Sequence, residues 1–576
     1  MSAVADPFEA RRVAGATGLP RTFNEVGLLS AADVHVASRL AELVSEESEA
    51  VALALALAVR GPRLGHVFVD LDTVRDTASV ESDEPVDLSS LPWPAVDEWL
   101  GALAASKLVA VGEEDSDADG GEPTPLRLLG TRLYLDRYWR EERSVAKDLN
   151  ELTASRRLEV IAGGPGTGKT TRVARMAAEL LERATAAGVR PPLIALAAPT
   201  GKAAARLQEA VHEETAGLSL AEPVRELLMG LRASTLHRLL GWRPGSHSRF
   251  AHDPGNRLPH DVVIVDETSM VSLSLMARLV EAVRPEARLI LVGDPGQLTS
   301  IEAGVVLGDI VGPGVGEGIV VLDRVHRYGG GIASLADAIR AGDPDRAVAA
   351  LGGAPGEVMW FPADAHETEA DLALVRERAV SAGSAVFAAA SAGAGHDALE
   401  ALGRFRLLCA HRRGPYGVSD WASRVVGWLS AELSDLDADQ RDYVGRPLLV
   451  TENDYELGLY NGDTGVIIQG AGAHATAVFE RGDELLHFSP LRLGAVETVY
   501  AMTIHKSQGS QFETAAVLLP DASSRILTRE LLYTAVTRAR RELILVGTED
   551  AVRAAVERPV ARASGLRERL WGEAIR

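Results

Sequence analysis

Short apolar runs alternate with longer amphipathic stretches through most of the chain. Between residues 150 and 345, five runs read as buried strands: 158–162, 193–198, 262–265, 289–292 and 319–322. Helical stretches separate them, the clearest being 170–187. This alternation predicts a parallel α/β sheet. A second set follows at 405–410, 516–519 and 543–546. Between its members, residues 441–500 carry short β-like pieces (447–451, 465–468, 477–479) broken by Asn-Gly and Gly-rich turns. That pattern predicts a small β-barrel inserted into the second α/β unit. Residues 1–125 read as mainly helical, with amphipathic or alanine-rich segments at 31–44 and 50–59 and one alternating piece at 67–71. Tyr134, Tyr138 and Trp139 lead out of this region, at a spacing that belongs to a core or an interface.

A length of 576 residues predicts three or four domains at about 150 residues each. The expected division is 1–125, 126–345, a second α/β unit built from 346–440 and 501–576, and the insertion 441–500. No stretch approaches the roughly 18 apolar residues of a membrane span, and residues 1–20 carry no basic-plus-apolar leader pattern. Cys409 is the single cysteine, so disulfides and thiolate zinc sites within one chain are excluded. These features together predict a cytoplasmic protein. The net charge of −22 excludes a generic basic nucleic-acid coat. A narrow basic groove stays open, because net charge says nothing about local distribution. The acidic run 113–121 reads as a solvated loop.

The chemistry begins at Gly163-Gly164-Pro165-Gly166-Thr167-Gly168-Lys169-Thr170, which satisfies G-x-x-x-x-G-K-[ST] between a strand and a helix. Backbone N–H groups of such a loop surround a polyphosphate, and the helix N-terminus adds partial positive charge. Lys169 reaches the β- and γ-phosphates, the Thr170 hydroxyl holds Mg²⁺, and the nucleotide contacts run on to Thr171. The strand 262–265 ends in Asp266 and Glu267. Asp266 is the expected second Mg²⁺ carboxylate, and Glu267 the base that orients the attacking water. The two motifs together define a P-loop NTPase. Gln297, after strand 289–292, is placed to sense the γ-phosphate. Arg327 and Arg538 are candidates to neutralise charge on the transferred phosphoryl group, with Arg538 the better placed. Arg324 and Arg340 read as surface residues.

Three further motifs combine hydroxyls with basic groups: 198–206 with Thr200 and Lys202, 235–240 with His237, and 503–509 with Thr503, His505 and Lys506. Such groups suit hydrogen bonds to phosphates and sugars, which position a strand without reading bases. A helix N-cap accounts equally well for Thr200 or Thr235. No Asp or Glu stands two positions before any of the five lysines, so no carboxylate-x-lysine nuclease signature is present.

In this order, the motifs resemble superfamily 1B DNA helicases and, within them, the RecD family, the α chains of RecBCD enzymes (exodeoxyribonuclease V). Residues 163–170, 199–206, 235–240, 266–270, 293–298, 326–327, 503–509 and 533–540 carry the resemblance, and 408–417 and 453–465 are specific to RecD. The resemblance implies two RecA-like P-loop NTPase domains, ATP between them, a mainly helical N-terminal docking domain and an SH3-like insertion at 441–500. It implies ATP-driven 5′→3′ movement on single-stranded DNA, with Asn461 joining Thr200, Lys202, His237, Thr503, His505 and Lys506 as DNA contacts. It also implies assembly with RecB-like helicase–nuclease and RecC-like scaffold subunits at duplex ends. A standalone helicase of the same type and a regulatory subunit with weakened ATPase are the alternatives. One departure stands out. Helicases of this group usually carry an adenine-reading glutamine upstream of the phosphate loop, and no glutamine precedes Gln208 here. Arg156 and Arg157 are the candidate substitutes.

Overall fold

The computed structural model describes the chain except residues 1–12, 14, 79, 81–86, 115–123, 244–248, 301, 313–317, 323–329, 354–355, 364–371, 455, 471–473, 482–483 and 573–576. Arg327 and Arg324 therefore lie outside the described residues.

Both predicted α/β sheets are present and wholly parallel. The first has the order Ile319–Leu322, Leu158–Gly163, Arg288–Gly293, Val262–Val265, Ile194–Ala198, Ala233–Thr235. Its strands are apolar almost throughout because helices cover both faces. Register pairs Ala162 with Gly293 and Val265 with Leu291. The loops after these strands therefore open at one edge, where ligands bind in such sheets. The second sheet runs Val358–Phe361, Ala539–Val546, Phe512–Leu518, Phe405–Cys409, Ala501–Thr503. Its outer strands, Val358–Phe361 and Ala501–Thr503, are too short for sequence pattern to separate from loops. Below, the two units are called the first and second lobes.

The insertion is a five-stranded antiparallel sheet in the order Glu484–Phe488, Ala475–Arg481, Thr464–Gln469, Pro447–Val450, Val496–Thr498. Among the described residues no ladder joins its two edge strands, so the barrel closure expected from the turns is not seen.

At the N-terminal end, helices Ala31–Val44 and Glu49–Arg60 form where expected. Ser30 and Asp33 make a reciprocal capping box, and Ser48 caps the second helix. Val51 and residues 53–58 of that helix sit in a core with Phe23, Trp99 and Leu103. The region is less helical than expected. A four-stranded sheet, Phe68–Asp70, Arg132–Leu135, Leu126–Leu129, Val109–Val111, packs against the helices and crosses the boundary expected at 125. Trp139, fully buried, follows this sheet between two guanidinium groups, Arg127 at 3.9 Å and Arg143 at 4.5 Å from its ring. Among the described residues no helix is long and apolar enough to cross a membrane.

The C-terminal segment returns across the molecule. Val67 donates to the Ala563 carbonyl at 2.7 Å, Gly565 to Glu142 at 2.8 Å, and Trp571 Nε1 to the Asp309 carbonyl at 3.0 Å. Helix Leu566–Trp571 thus straps the N-terminal sheet to the first lobe.

Candidate functional site

The phosphate loop turns where glycine permits it. Gly166 and Gly168 take φ of +78° and +83°, a left-handed region costly for other residues. Gly168 then starts helix Lys169–Ala186. Lys169 Nζ donates to the carbonyls of Gly163 and Gly164 at 2.6 and 2.8 Å, and Thr167 Oγ1 to Gly164 at 2.9 Å. Thr170 lies in the first helical turn. Thr171 is directed to Glu214, at 2.6 Å, and so joins this helix to the next one.

Asp266 and Glu267 leave the adjacent strand. The Asp266 N–H donates to Ala197, and Asp266 Oδ1 accepts the Glu267 N–H at 2.8 Å. Glu267 itself has φ +51°, a strained position for a residue with a side chain. Burial raises the Asp266 carboxyl to about 6, helped by the neighbouring Glu267 and opposed by Lys169. Hydroxyl and carboxylate oxygens, from Thr170 and Asp266, are the hard donors Mg²⁺ takes.

Asp294 and Gln297, both buried, follow the next strand. Asp294 Oδ2 accepts from Gln297 Nε2 and from Tyr533 Oη, each at 3.1 Å. Tyr533 belongs to helix Arg529–Val536 of the second lobe. A Cβ on Gly164 would stand 2.9 Å from the same hydroxyl, so only glycine lets this tyrosine lie over the phosphate loop. Leu298 N–H donates to Thr534 Oγ1 at 2.9 Å, and Gln508 Nε2 to the Leu298 carbonyl at 2.6 Å. The second lobe therefore holds both ends of the loop carrying Gln297.

Arg538 is 2% exposed. It donates to Thr534 O at 2.9 Å, Ser510 O at 3.1 Å and Thr537 Oγ1 at 3.2 Å. Among the described residues no carboxylate lies within ion-pair distance of it. Arg206, which sequence reasoning placed in a motif without assigning it a role, donates to the Gly509 carbonyl. Arg206 keeps exposed surface, yet desolvation of its guanidinium, with Arg540 and Arg538 nearby, lowers it to about 10, against the pull of Glu267. Its position beside Glu267 and Arg538 is a tertiary fact with no local signature. Arg340, by contrast, makes an exposed pair with Asp337 at 3.0 Å.

The expected DNA contacts divide. Thr200 caps helix Gly201–Gly217 through Ala203 N–H. Lys202 is half-buried, bonded to Ser510 Oγ at 2.8 Å and to Gly462 O at 3.2 Å, and desolvation lowers it to about 7. It stands at the junction of both lobes and the insertion rather than on an open surface. Tyr460 closes the same junction, packed so tightly on Gly201 that a Cβ there would meet its ring at 2.5 Å. Asn461 is exposed, its N–H bonded to Asn453 Oδ1. Thr503 is buried and accepts the Lys506 N–H at 3.2 Å. Lys506 Nζ pairs with Glu497 at 2.8 Å. His505 is lowered by burial and by Arg562 and Arg412, and His237 is lowered by burial. Arg156 and Arg157 precede strand Leu158–Gly163 and so lie at the end opposite the phosphate loop, with Arg157 bonded to Pro285 O.

A phosphate loop and a carboxylate pair on one parallel lobe, with a second parallel lobe packed across it through Tyr533 and Thr534, define a P-loop NTPase. Residues 145–358 match the AAA domain family, 498–546 the UvrD-like helicase C-terminal domain, and 25–134 the N-terminal domain of RecBCD enzyme subunit RecD. The chain is 49% identical over 573 residues to RecBCD enzyme subunit RecD of Mycolicibacterium smegmatis, covering 94% of this chain and 98% of that one. It is 30% identical to the ATP-dependent RecD2 DNA helicase of Deinococcus radiodurans, over 75% of this chain and 54% of that one. A solved Bacteroides Pif1 bound to single-stranded DNA is similar over 70% of this chain and 91% of its own, at 16% identity and a TM-score of 0.36. The chain belongs to the RecD family.

Proposed function

We propose that the chain is the 5′→3′ single-stranded DNA motor of a RecBCD-type complex, working with RecB-like and RecC-like subunits at duplex ends in the cytoplasm. The domains would be the N-terminal docking domain, extended to about 135 by its sheet, two RecA-like lobes, and an SH3-like insertion at 441–500. The observation that carries this reading is the seam itself: Tyr533 of the second lobe over Gly164 and Asp294 of the first. An ATP triphosphate seated on the loop would lie between Lys169 and the Arg538 side of the seam.

In this scheme the loop N–H groups and Lys169 bind the phosphates. Mg²⁺ on Thr170 and Asp266 would neutralise phosphate charge. Glu267 accepts the proton of the attacking water, and Gln297 reads the γ-phosphate. Arg538, with Arg327 as the second candidate, stabilises the developing charge. Closing and opening of the seam would alternate the two lobes' grip on a strand contacted by Asn461, Thr503, His505 and Lys506.

Lys169→Ala tests the reading. ATP turnover with single-stranded DNA should fall by at least about a hundredfold, as loss of a main phosphate contact implies, while thermal melting and subunit co-purification stay unchanged. Unchanged DNA-stimulated hydrolysis would refute the site. Normal activity of the assembled complex with Glu267→Gln would favour the regulatory-subunit reading.

A further inference from the structure

Helix Gly201–Gly217 carries two cations one turn apart, Lys202 and Arg206, and both cross to the second lobe. Lys202 Nζ donates to Ser510 Oγ at 2.8 Å. Arg206 donates to the carbonyl of the preceding residue, Gly509. From the other side, Arg538 Nη1 donates to the Ser510 carbonyl at 3.1 Å. Two consecutive residues of the second lobe are thus held by three cations, two of them from the first lobe. Ser510 is itself buried, and Gly509 takes φ +71°, so the direction of these carbonyls is set by a tight turn.

Arg538 depends on that turn. Its recorded acceptors are two carbonyls and one hydroxyl, all neutral. Neutral acceptors fix a guanidinium by geometry and leave its charge uncompensated. A shift of the Ser510 carbonyl therefore shifts Arg538. The first lobe reaches the turn itself through Lys202 and Arg206, and its flanks through Leu298, which meets Gln508 and Thr534.

We propose that Arg206, with Lys202, is a positioning residue that transmits the state of the first lobe through Gly509 and Ser510 to the Arg538 guanidinium. This rests on reading Arg538 as the arginine that neutralises the transferred phosphoryl group. The charge distribution supports the same coupling. Arg206 feels the repulsion of Arg540 and Arg538 and the attraction of Glu267 and Glu209. An anion between the lobes relieves that repulsion and tightens the contact, and its release loosens it. Nucleotide state and seam closure then become one equilibrium.

The test uses the full chain, with steady-state ATP hydrolysis on single-stranded DNA for Arg206→Ala, Arg206→Lys, Arg538→Ala and the Arg206→Ala/Arg538→Ala double variant. Arg206→Ala should lower kcat about tenfold or more with the KM for ATP within about twofold, since the affected group acts on the transition state. Arg206→Lys, which can still donate to Gly509, should restore much of the loss. The double variant should be no slower than Arg538→Ala alone, because one residue acts through the other. Equal losses in both backgrounds, or a raised KM with kcat intact, would overturn the proposal. Should Arg206→Ala not fold, Ser510→Ala takes its place. It removes the Lys202 acceptor and keeps the carbonyl, and its expected loss of a few-fold must again vanish without Arg538. A wild-type kcat in Arg538→Ala would instead overturn the reading of Arg538 itself, whatever Arg206→Ala does.

Discussion

Tyr533 of the second lobe donates its hydroxyl to Asp294 of the first at 3.1 Å, onto the same carboxylate oxygen that accepts from Gln297. One oxygen thereby senses both the lobe contact and the residue placed to read the γ-phosphate. Tyr533→Phe keeps the ring and removes the donor. A hydrogen bond to a charged group contributes about 1.5–3 kcal/mol. DNA-stimulated turnover should therefore fall at least roughly tenfold. Circular dichroism should be unchanged. Turnover equal to wild type would mean that the Tyr533–Asp294 contact is not coupled to hydrolysis.

Lys506 pairs its ammonium with Glu497 at 2.8 Å, and in the proposed DNA path it would exchange that carboxylate for a phosphate. Lys506→Ala should weaken binding to oligothymidine and reduce the salt slope by about 0.7, the share of one phosphate on a single strand. Glu497→Ala should strengthen binding up to roughly fivefold, because an exposed pair contributes about 1 kcal/mol at most. Fluorescence anisotropy across a salt series reads both. An unchanged slope in Lys506→Ala would remove this lysine from the DNA path.

Asp309 gives the strap a pH dependence. Burial raises it to about 6, against the Ser564 hydroxyl at 2.8 Å and Arg567. Its folded value exceeds the ordinary 3.8, so between these values the folded state binds more protons than the unfolded chain. Its contribution to stability is present at low pH and is lost as pH rises through about 6. Two pH units correspond to about 3 kcal/mol at most. Asp309→Asn should thus gain stability relative to wild type as pH rises from 4 to 6, with no further change above. Denaturant unfolding at several pH values measures that difference, and a flat difference would contradict it.

Arg132 and Glu568 close the strap with two hydrogen bonds, at 2.5 and 2.7 Å, between positions 436 residues apart. Glu568→Arg should destabilise the chain by about 1 kcal/mol, given that both groups are one-third exposed. Combination with Arg132→Glu should recover most of it. A double variant as unstable as the sum of the singles would show that the pairing itself contributes nothing.

What was legible in the sequence is local. The phosphate loop, the Asp266-Glu267 pair and the buried strands announce themselves because their chemistry depends on residues adjacent in the chain and on a period of two or 3.6. The strand Val358–Phe361 is not visible that way, since four apolar residues fit a helix, strand or loop equally. Lys202 shows the limit at the site. Its motif points to a phosphate, yet Gly462 and Ser510, some 260 and 308 residues away, take its donors.

The amino-acid order alone determined the two α/β units, the phosphate-loop motif around Lys169, the strand-end carboxylates Asp266 and Glu267, and the single cysteine. Only the tertiary structure decided that Tyr533 overlies Gly164, that Arg206 and Arg538 meet at one turn, and that the C-terminal segment straps the N-terminal sheet to the first lobe. The reason is physical. Hydrogen-bond and turn preferences act over a few residues, whereas a contact between distant segments is set by how whole sheets and helices bury their apolar faces, and no short stretch of chain encodes that sum.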